Sequence, residues 1–211
     1  MAGPEAYFYR TADGSGLPHD PLNAIIGPRP IGWISSLGVD GVANLAPYSF
    51  FNAFNYKPPV IGFASIGWKD SVANIDATRE FVWNLATRPL AEAMNETSAS
   101  IPADQSEFDR AAVTPVDSVI VAPPRVRESP VNFECRLSQL VQLKDAQGQQ
   151  LTTWVVFGEV VAVHIDNALL TDGVYDTAAA QPILRAGGLG NYFDVSPQAG
   201  FTMLRPDDRG R

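Results

Sequence analysis

Two stretches decide the fold. Residues 131–143 read Val-Asn-Phe-Glu-Cys-Arg-Leu-Ser-Gln-Leu-Val-Gln-Leu, and residues 151–165 read Leu-Thr-Thr-Trp-Val-Val-Phe-Gly-Glu-Val-Val-Ala-Val-His-Ile. Both are long and rich in β-branched and apolar residues, the composition of strands, and Lys144–Gln150 between them reads as a turn. Working outward, Ser118–Ala122 is expected as a further strand, Val60–Ile66 as a buried strand and Glu80–Ala86 as another, with a short helix over Lys69–Thr78. Ala24–Leu37 and Val42–Ala53 read as a hairpin about the turn Gly38-Val39-Asp40-Gly41, closed by Pro58-Pro59. Pro89–Ser98 has helix formers behind a first-position proline, and Asp104–Ala111 carries acidic residues early, so each predicts a short helix. Long strands with short helices inserted mid-chain favour a mainly β, Greek-key-type barrel over a doubly wound sheet, in which strand and helix alternate throughout. Residues 1–22 are expected as an N-terminal arm whose Tyr7, Phe8 and Tyr9 pack onto something, a second subunit being one option. Residues 23–195 form the expected barrel domain and 196–211 a tail.

A chain of 211 residues, 45% hydrophobic and 18% charged, is long enough to bury one sizeable core. The net charge of -8 argues against nucleic acid, whose phosphates need clustered Lys and Arg. The same charge repels anions weakly, so a bound phosphate has to be held by local amides and individual cationic side chains. The single cysteine, Cys135, excludes an internal disulfide and sits between apolar Phe133 and Leu137, which predicts a buried, inert thiol. No leader-like run and no apolar stretch of about 18 residues is present, so no membrane association is expected and the expected location is cytoplasmic.

Several chemistries lack their residues. His19, His164 and Cys135 have no zinc-site spacing, and neither a GxSxG elbow nor a GxxxxGK[ST] loop occurs. Gly187-Gly188-Leu189-Gly190 is not a dinucleotide fingerprint and reads as a mobile surface loop. What remains is Asn44–Asn52 (Asn-Leu-Ala-Pro-Tyr-Ser-Phe-Phe-Asn), polar and proline-interrupted for a strand. Proline removes a ladder donor, so Pro47 implies an edge, a bulge or a ligand-facing backbone. Freed amides beside Ser49 and Asn52 suit a phosphate or the polar edge of a flat heterocycle, although any one of these side chains can equally satisfy a distorted strand. A second cluster, Ser65–Ser71, ends a strand and opens a helix, a natural anion seat to which Lys69 adds charge; ordinary N-capping by Asp70 or Ser71 is the plainer reading.

Together, Arg29-Pro30-Ile31-Gly32-Trp33-Ile34-Ser35, Asn44–Asn52, Lys69-Asp70-Ser71 with Asn74-Ile75, and Phe81-Val82-Trp83-Asn84-Leu85 resemble the flavin reductase-like, flavoredoxin-type family of FMN-binding split barrels. Ser129-Pro130-Val131 with Phe133-Glu134-Cys135, Phe157–Val161 leading to His164, and Arg185 before Gly187-Gly188 and Tyr192-Phe193 extend the resemblance over residues 20–195. It implies a homodimer that binds FMN noncovalently and is reduced by NADH or NADPH, acting directly on a small substrate or supplying flavin to a partner monooxygenase. The long arm and the Arg-Pro-Ile-Gly-Trp start look closer to flavoredoxin, which leaves open an electron carrier reduced by a protein partner. Carried over by position, Ser35, Ser36, Leu37, Asn44, Ala46, Pro47, Tyr48, Ser49, Phe50 and Phe51 line the flavin, with amides from Ala46 to Phe50 facing the ring. Ser65, Lys69, Asp70 and Ser71 hold the ribityl and phosphate end, with Asn52 a further candidate. Arg185 and Tyr192, on the glycine-rich loop, either close over the cofactor or cap the barrel. His164 is either a satisfied barrel histidine or a catalytic group approaching the nicotinamide or flavin face.

Overall fold

The computed structural model describes residues 6–102 and 104–206. The parts of the expected arm and tail at 1–5 and 207–211 lie outside the described residues. A four-residue helix, α1 (Leu22–Ile25), leads into β1 (Arg29–Pro30) and β2 (Gly32–Leu37). Strand β2 is buried on both sides: its side chains alternate, so Ile34 enters one apolar cluster and Trp33 the other. Strands β3 (Ala43–Tyr48), β4 (Phe51–Tyr56) and β5 (Pro59–Ile66) follow, then α2 (Asp70–Thr78), β6 (Glu80–Asn84), α3 (Ala91–Glu96) and α4 (Glu107–Arg110). The short β7 (Pro115–Val116) and β8 (Arg125–Val126) pair with each other before the long hairpin β9 (Val131–Lys144) and β10 (Gln150–Ile165). A small pair, β11 (Leu170–Thr171) and β12 (Val174–Tyr175), precedes β13 (Ile183–Arg185) and β14 (Tyr192–Asp194), which join β1 in a three-stranded sheet.

The main sheet is antiparallel with the order β3-β2-β6-β9-β10-β5-β4. Its two edge strands are consecutive in the chain, joined only by Ser49-Phe50. A two-residue link can connect opposite edges only if the sheet curls until they meet, which makes a barrel split between β3 and β4. The Ala64 amide, on β5, donates to the Phe50 carbonyl at 2.8 Å, which extends the β4–β5 ladder by one residue into the crossing. Inside the barrel pack Ile34, Tyr48, Phe63, Phe81, Trp83, Cys135 and Val156. Outside β2 and β3, the helical segment adds a second layer around Trp33, Leu45, Met94 and Phe108. Gly158 shows how tight the interior is: a Cβ there would lie 2.3 Å from the Phe81 ring. Cys135 is buried as expected, and burial pushes its thiol well above the ordinary value.

The structure departs from the expected elements at four places. The apolar run at 24–28 is helical and then irregular, with Ile25 and Ile26 exposed; Gly27-Pro28 ends the turn because the residue before proline avoids the helical region. Val42–Ala53 is two strands, not one, broken where the chain crosses between sheet edges. The second expected helix is confined to Glu107–Arg110, with Ser106 as its cap, the Ser106 hydroxyl accepting from the Phe108 amide. Ser118–Ala122 is not a strand, because its amides are taken by a buried carboxylate. Val119 donates to Glu134 Oε1 at 2.8 Å, and Ile120 and Val121 to Oε2 at 2.6 and 3.0 Å.

Glu134 is fully buried on β9 and also meets His164 Nε2 at 2.6 Å. Burial alone would raise its pKa, but the three amides and His164 outweigh this and hold it below the usual carboxylate value. A carboxyl group whose folded value is depressed stabilises the protein fully above its unfolded value and loses that contribution as pH falls through the folded one. Glu134→Ala is therefore expected to lower stability by about 3 kcal/mol near neutrality, since it orphans three amides at once. In urea unfolding the deficit should shrink progressively below about pH 4. A loss under about 1 kcal/mol at pH 7 would mean that the 118–122 loop is held by packing instead.

Candidate functional site

The free edge of β3 is the starting point. Successive residues of an edge strand point their backbone groups alternately toward and away from the neighbouring strand. On β3 the outward set is Ala43, Leu45 and Pro47, and Ser49 continues it just past the strand: the Ala43 carbonyl accepts from Ser106 Oγ at 2.6 Å, the Leu45 amide donates to Glu107 Oε2 at 2.9 Å, and the Ser49 carbonyl accepts from Arg29 Nε at 3.1 Å. Helix α4 thus covers the first part of the edge, protecting it from strand addition. Ala46 and Tyr48 turn their amides toward β2, and Pro47 has none. The expected row of open amides over Ala46–Phe50 is therefore not what the edge offers near Pro47. It presents the carbonyls of Leu45 and Pro47, acceptors suited to a ligand N–H.

Alongside that edge lies a cleft of about 320 Å³, lined by Asn44, Ala46, Pro47 and Tyr48 on one side and by Lys69, Asp70 and Ser71 on another. The start of α2 forms the second wall because β5 ends at Ile66 and Gly67, in the left-handed region at φ 92°, turns the chain into Lys69. In α2 the first amides have no carbonyl a turn earlier to accept them, and no side chain caps them. The expected capping by Asp70 or Ser71 does not occur; Ser71 Oγ instead accepts from Asn44 Nδ2 at 2.8 Å. The Lys69 ammonium makes no ion pair among the described residues.

Tyr48 is buried, its ring 4.5 Å from that of Phe63, and its hydroxyl has no hydrogen-bond partner among the described residues. The hydroxyls of Ser71 and Ser65 neighbour it without bonding geometry; burial raises the phenol's pKa and the two hydroxyls offset part of that rise. Burial likewise pushes the Glu107 carboxyl up, against the pull of the Leu45 amide, with Asp70 adding to the rise. The third wall, Thr97–Ile101, follows α3 and is anchored where Trp33 Nε1 donates to Thr97 Oγ1 at 2.9 Å.

A larger cleft of about 890 Å³ adjoins the first and shares Pro47 and Ser98 with it. Its walls include Ser49, Arg88, Met94, Arg185, Tyr192 and Phe193. Arg185 lies over the Tyr192 ring, 5.0 Å from the centroid, and donates to the carbonyls of Asn191, Gly188 and Leu189 at 2.9, 3.3 and 3.1 Å.

The chain that carries these two clefts is similar to known proteins over most of its length. A family model described as flavin reductase like domain matches residues 27–183. The chain belongs to the flavin reductase like family. Among relatives, an uncharacterized protein of Aquifex aeolicus is 34% identical over 188 residues, covering 86% of this chain and 92% of its own length. Nitrilotriacetate monooxygenase component B from Bacillus cereus superposes with a TM-score of 0.80 at 29% identity, covering 95% of this chain and 98% of that one. The 2-nitrobenzoate 2-nitroreductase NbaA of Pseudomonas fluorescens does so with 0.77 at 29% identity, covering 87% and 88%.

Against this flavin reductase like frame, the residues expected from sequence fall into three groups. Asn44, Ala46, Pro47, Tyr48, Lys69, Asp70 and Ser71 converge on the smaller cleft, with Ser65 behind Tyr48; Ser49, Arg185 and Tyr192 line the larger one. Neither cleft's lining includes the others. Ser35 Oγ donates to the Pro124 carbonyl, Ser36 Oγ accepts from Asn74 Nδ2 at 3.3 Å, and Leu37 is half-buried at the end of β2. Phe50 lies under the Arg29 guanidinium, Phe51 stacks on Trp83 at 5.6 Å, and Asn52 is exposed, accepting from the Ala53 amide. His164 lies against Glu134, on the side of the 118–122 loop. Sequence reasoning missed Thr97–Ile101, Glu107 and Arg88, which reach the clefts only through packing of the α3–α4 segment and carry no local motif.

The orphaned hydroxyl allows a direct test. A buried hydroxyl without a partner costs about 1 kcal/mol, so Tyr48→Phe is expected to raise the midpoint of thermal unfolding of the ligand-free protein by about 2–4 °C. A drop would show that the hydroxyl is bonded to Ser65 or Ser71 in solution.

Proposed function

We propose that the smaller cleft binds FMN and that the protein is an FMN-dependent oxidoreductase using NADH or NADPH as electron donor. The observation that carries this reading is the convergence, in one cleft beside a split-barrel edge, of three unsatisfied polar features. These are the uncapped amides at the start of α2, the unpaired Lys69 ammonium and the orphaned Tyr48 hydroxyl. A phosphate fits the first two, since a nine-residue helix directs its positive end and free N–H groups at it. The hydroxyl suits the ribityl chain, and the Leu45 and Pro47 carbonyls suit the N–H of the ring's pyrimidine edge. With the phosphate at Lys69–Ser71, the ring follows Ala46 and Pro47 toward the larger cleft, where a second reactant has room. Bound FMN supplies the redox chemistry, and the protein supplies binding, orientation and exclusion of water.

Glu107 and Asp70 sit on the same cleft, and the raised carboxyl of Glu107 lets it take up a proton when an anion arrives more readily than an ordinary carboxyl would. A homodimer fits the exposed outer surface of β4, where Phe54 and Tyr56 are 57% and 83% exposed, together with Ile66 and Trp68 on the adjoining turn. The relatives span both downstream roles, one a monooxygenase component and the other a nitroreductase.

The test is an absorption titration of the purified protein with FMN, followed by anaerobic addition of NADH or NADPH. The expected result is a flavin band perturbed on binding and bleached by one nucleotide. A bound flavin left oxidised by both nucleotides would assign the protein as a carrier reduced by a protein partner, and no binding would overturn the reading. Lys69→Ala is expected to weaken FMN about fivefold to tenfold, toward the lower end for a charge-assisted contact because the ammonium is solvent-exposed. Unchanged affinity would remove Lys69 from the phosphate site.

A further inference from the structure

We propose that the larger cleft seats the flavin's reaction partner and that Arg88 is its specificity-determining residue, gripping an anionic oxygen group, a phosphate or a carboxylate, of that molecule. The proposal rests on the flavin reading of the smaller cleft. Both arginines lining the larger cleft belong to a chain of net charge -8, so a cationic group facing this space stands out against the rest of the surface. They differ in what their donors do. The Arg185 fork is spent on three carbonyls of its own loop, and nearby Arg29 is spent on the carbonyls of Ser49, Asn23 and Ala186. The Arg88 side chain makes no hydrogen bond or ion pair among the described residues. Glu92, one turn further on, does not pair with it.

The backbone that carries Arg88 is nonetheless fixed. Its amide donates to the Gln181 carbonyl at 2.9 Å, Thr87 forms a β-bridge with Pro182, and the Ile183 amide donates to Ala86 at 3.0 Å. A rigid base with a free planar fork is the arrangement that recognises a two-oxygen anion with little ordering cost. Because the cleft meets the flavin cleft at Pro47 and Ser98, a molecule held by Arg88 at one end can extend its reactive end toward the ring. Met94, Ile31 and Ile183 on the walls favour an apolar or aromatic body for it. Glu92 and Asp194 disfavour a second negative group away from Arg88.

The experiment uses the full chain loaded with FMN, as wild type, Arg88→Ala and Arg88→Lys. NADH and NADPH are tested by anaerobic rapid-mixing reduction and benzoate by flavin fluorescence, with FMN affinity measured separately by equilibrium dialysis. In Arg88→Ala the concentration for half-saturation by the cognate anion should rise about tenfold or more. The limiting rate and the FMN affinity should stay unchanged, and Arg88→Lys should recover part of the loss. A loss confined to the nucleotides identifies the group as a phosphate, and one confined to benzoate identifies it as a carboxylate. Equal behaviour of wild type and Arg88→Ala toward all three overturns the proposal, as does the failure of all three to perturb the FMN-loaded wild type. A wild type that binds no FMN instead sinks the flavin reading, and calorimetric benzoate binding to the ligand-free pair of proteins still decides the role of Arg88.

Discussion

Two residues, Ser49 and Phe50, carry the chain from one edge of a seven-stranded sheet to the other, and most of the molecule is arranged around that short passage. A link this short forbids a flat sheet. It brings β3 beside β5 without pairing them, and the unpaired edge of β3 becomes the wall of a cleft instead of a site for strand addition. The passage is pinned by a single guanidinium: Arg29 donates to the Ser49 carbonyl, to Asn23 at the start of the domain and to Ala186 before the glycine-rich loop, while lying 5.6 Å from the Phe50 ring centroid. Burial and the nearby Arg185 lower its pKa, yet an arginine starts so far above neutrality that it stays charged. One side chain therefore ties together the segment before the barrel, the crossing and the loop over the larger cleft. Gly187 makes the same junction from the other side, since a Cβ there would lie 2.4 Å from that of Ala24.

A second consequence concerns how the β3 edge is kept open only where a ligand can use it. Ser106 and Glu107 occupy its first outward groups and Arg29 its last, which leaves the stretch around Pro47 uncovered. Proline there is compatible with an edge and with nothing more interior. The residue that prevents pairing is thus also the one at which the two clefts meet. The same economy appears in Glu134, whose carboxylate replaces a strand's worth of ladder bonds for the 118–122 loop and leaves His164 a structural partner.

The barrel was legible in the sequence where burial follows the strand period, as in β5, β6, β9 and β10, and in Pro47, whose missing donor predicted an edge. The start of α2 behind Lys69 was legible for the same reason: a strand end followed at once by a helix start is a local pattern. What could not be read was set by distant partners. Ser118–Ala122 has strand composition but gives the amides of Val119, Ile120 and Val121 to a carboxylate on β9, thirteen or more residues away. Ser35 and Ser36 lie on β2, yet the groups that meet them are the Pro124 carbonyl and the Asn74 side chain. Ile25 and Ile26 look like strand residues because they are apolar, although the structure leaves them exposed at the end of α1. The run Ala46–Phe50 was expected to present its amides outward, whereas Ala46 and Tyr48 turn theirs toward β2 and Pro47 has none.

Electrostatics decides how an acidic protein can hold an anionic cofactor at all. Long-range attraction is absent, because a surface of net charge -8 repels phosphate over roughly a Debye length of about 8 Å at physiological salt. Binding must then come from contacts inside that distance. In the proposed site the start of α2 supplies them as dipoles without net charge, so the seat does not depend on a basic patch. Lys69 adds one full charge, and Asp70 beside it subtracts one. Glu107 is the adjustable group: burial raises its pKa, against the pull of the Leu45 amide, so it takes up a proton at a higher pH than an ordinary carboxyl. The cleft sets one cation, Lys69, against the carboxyls of Asp70 and Glu107 and offers oriented donors; in the proposed reading it selects its ligand by geometry, and recognition by charge falls to Arg88 in the larger cleft.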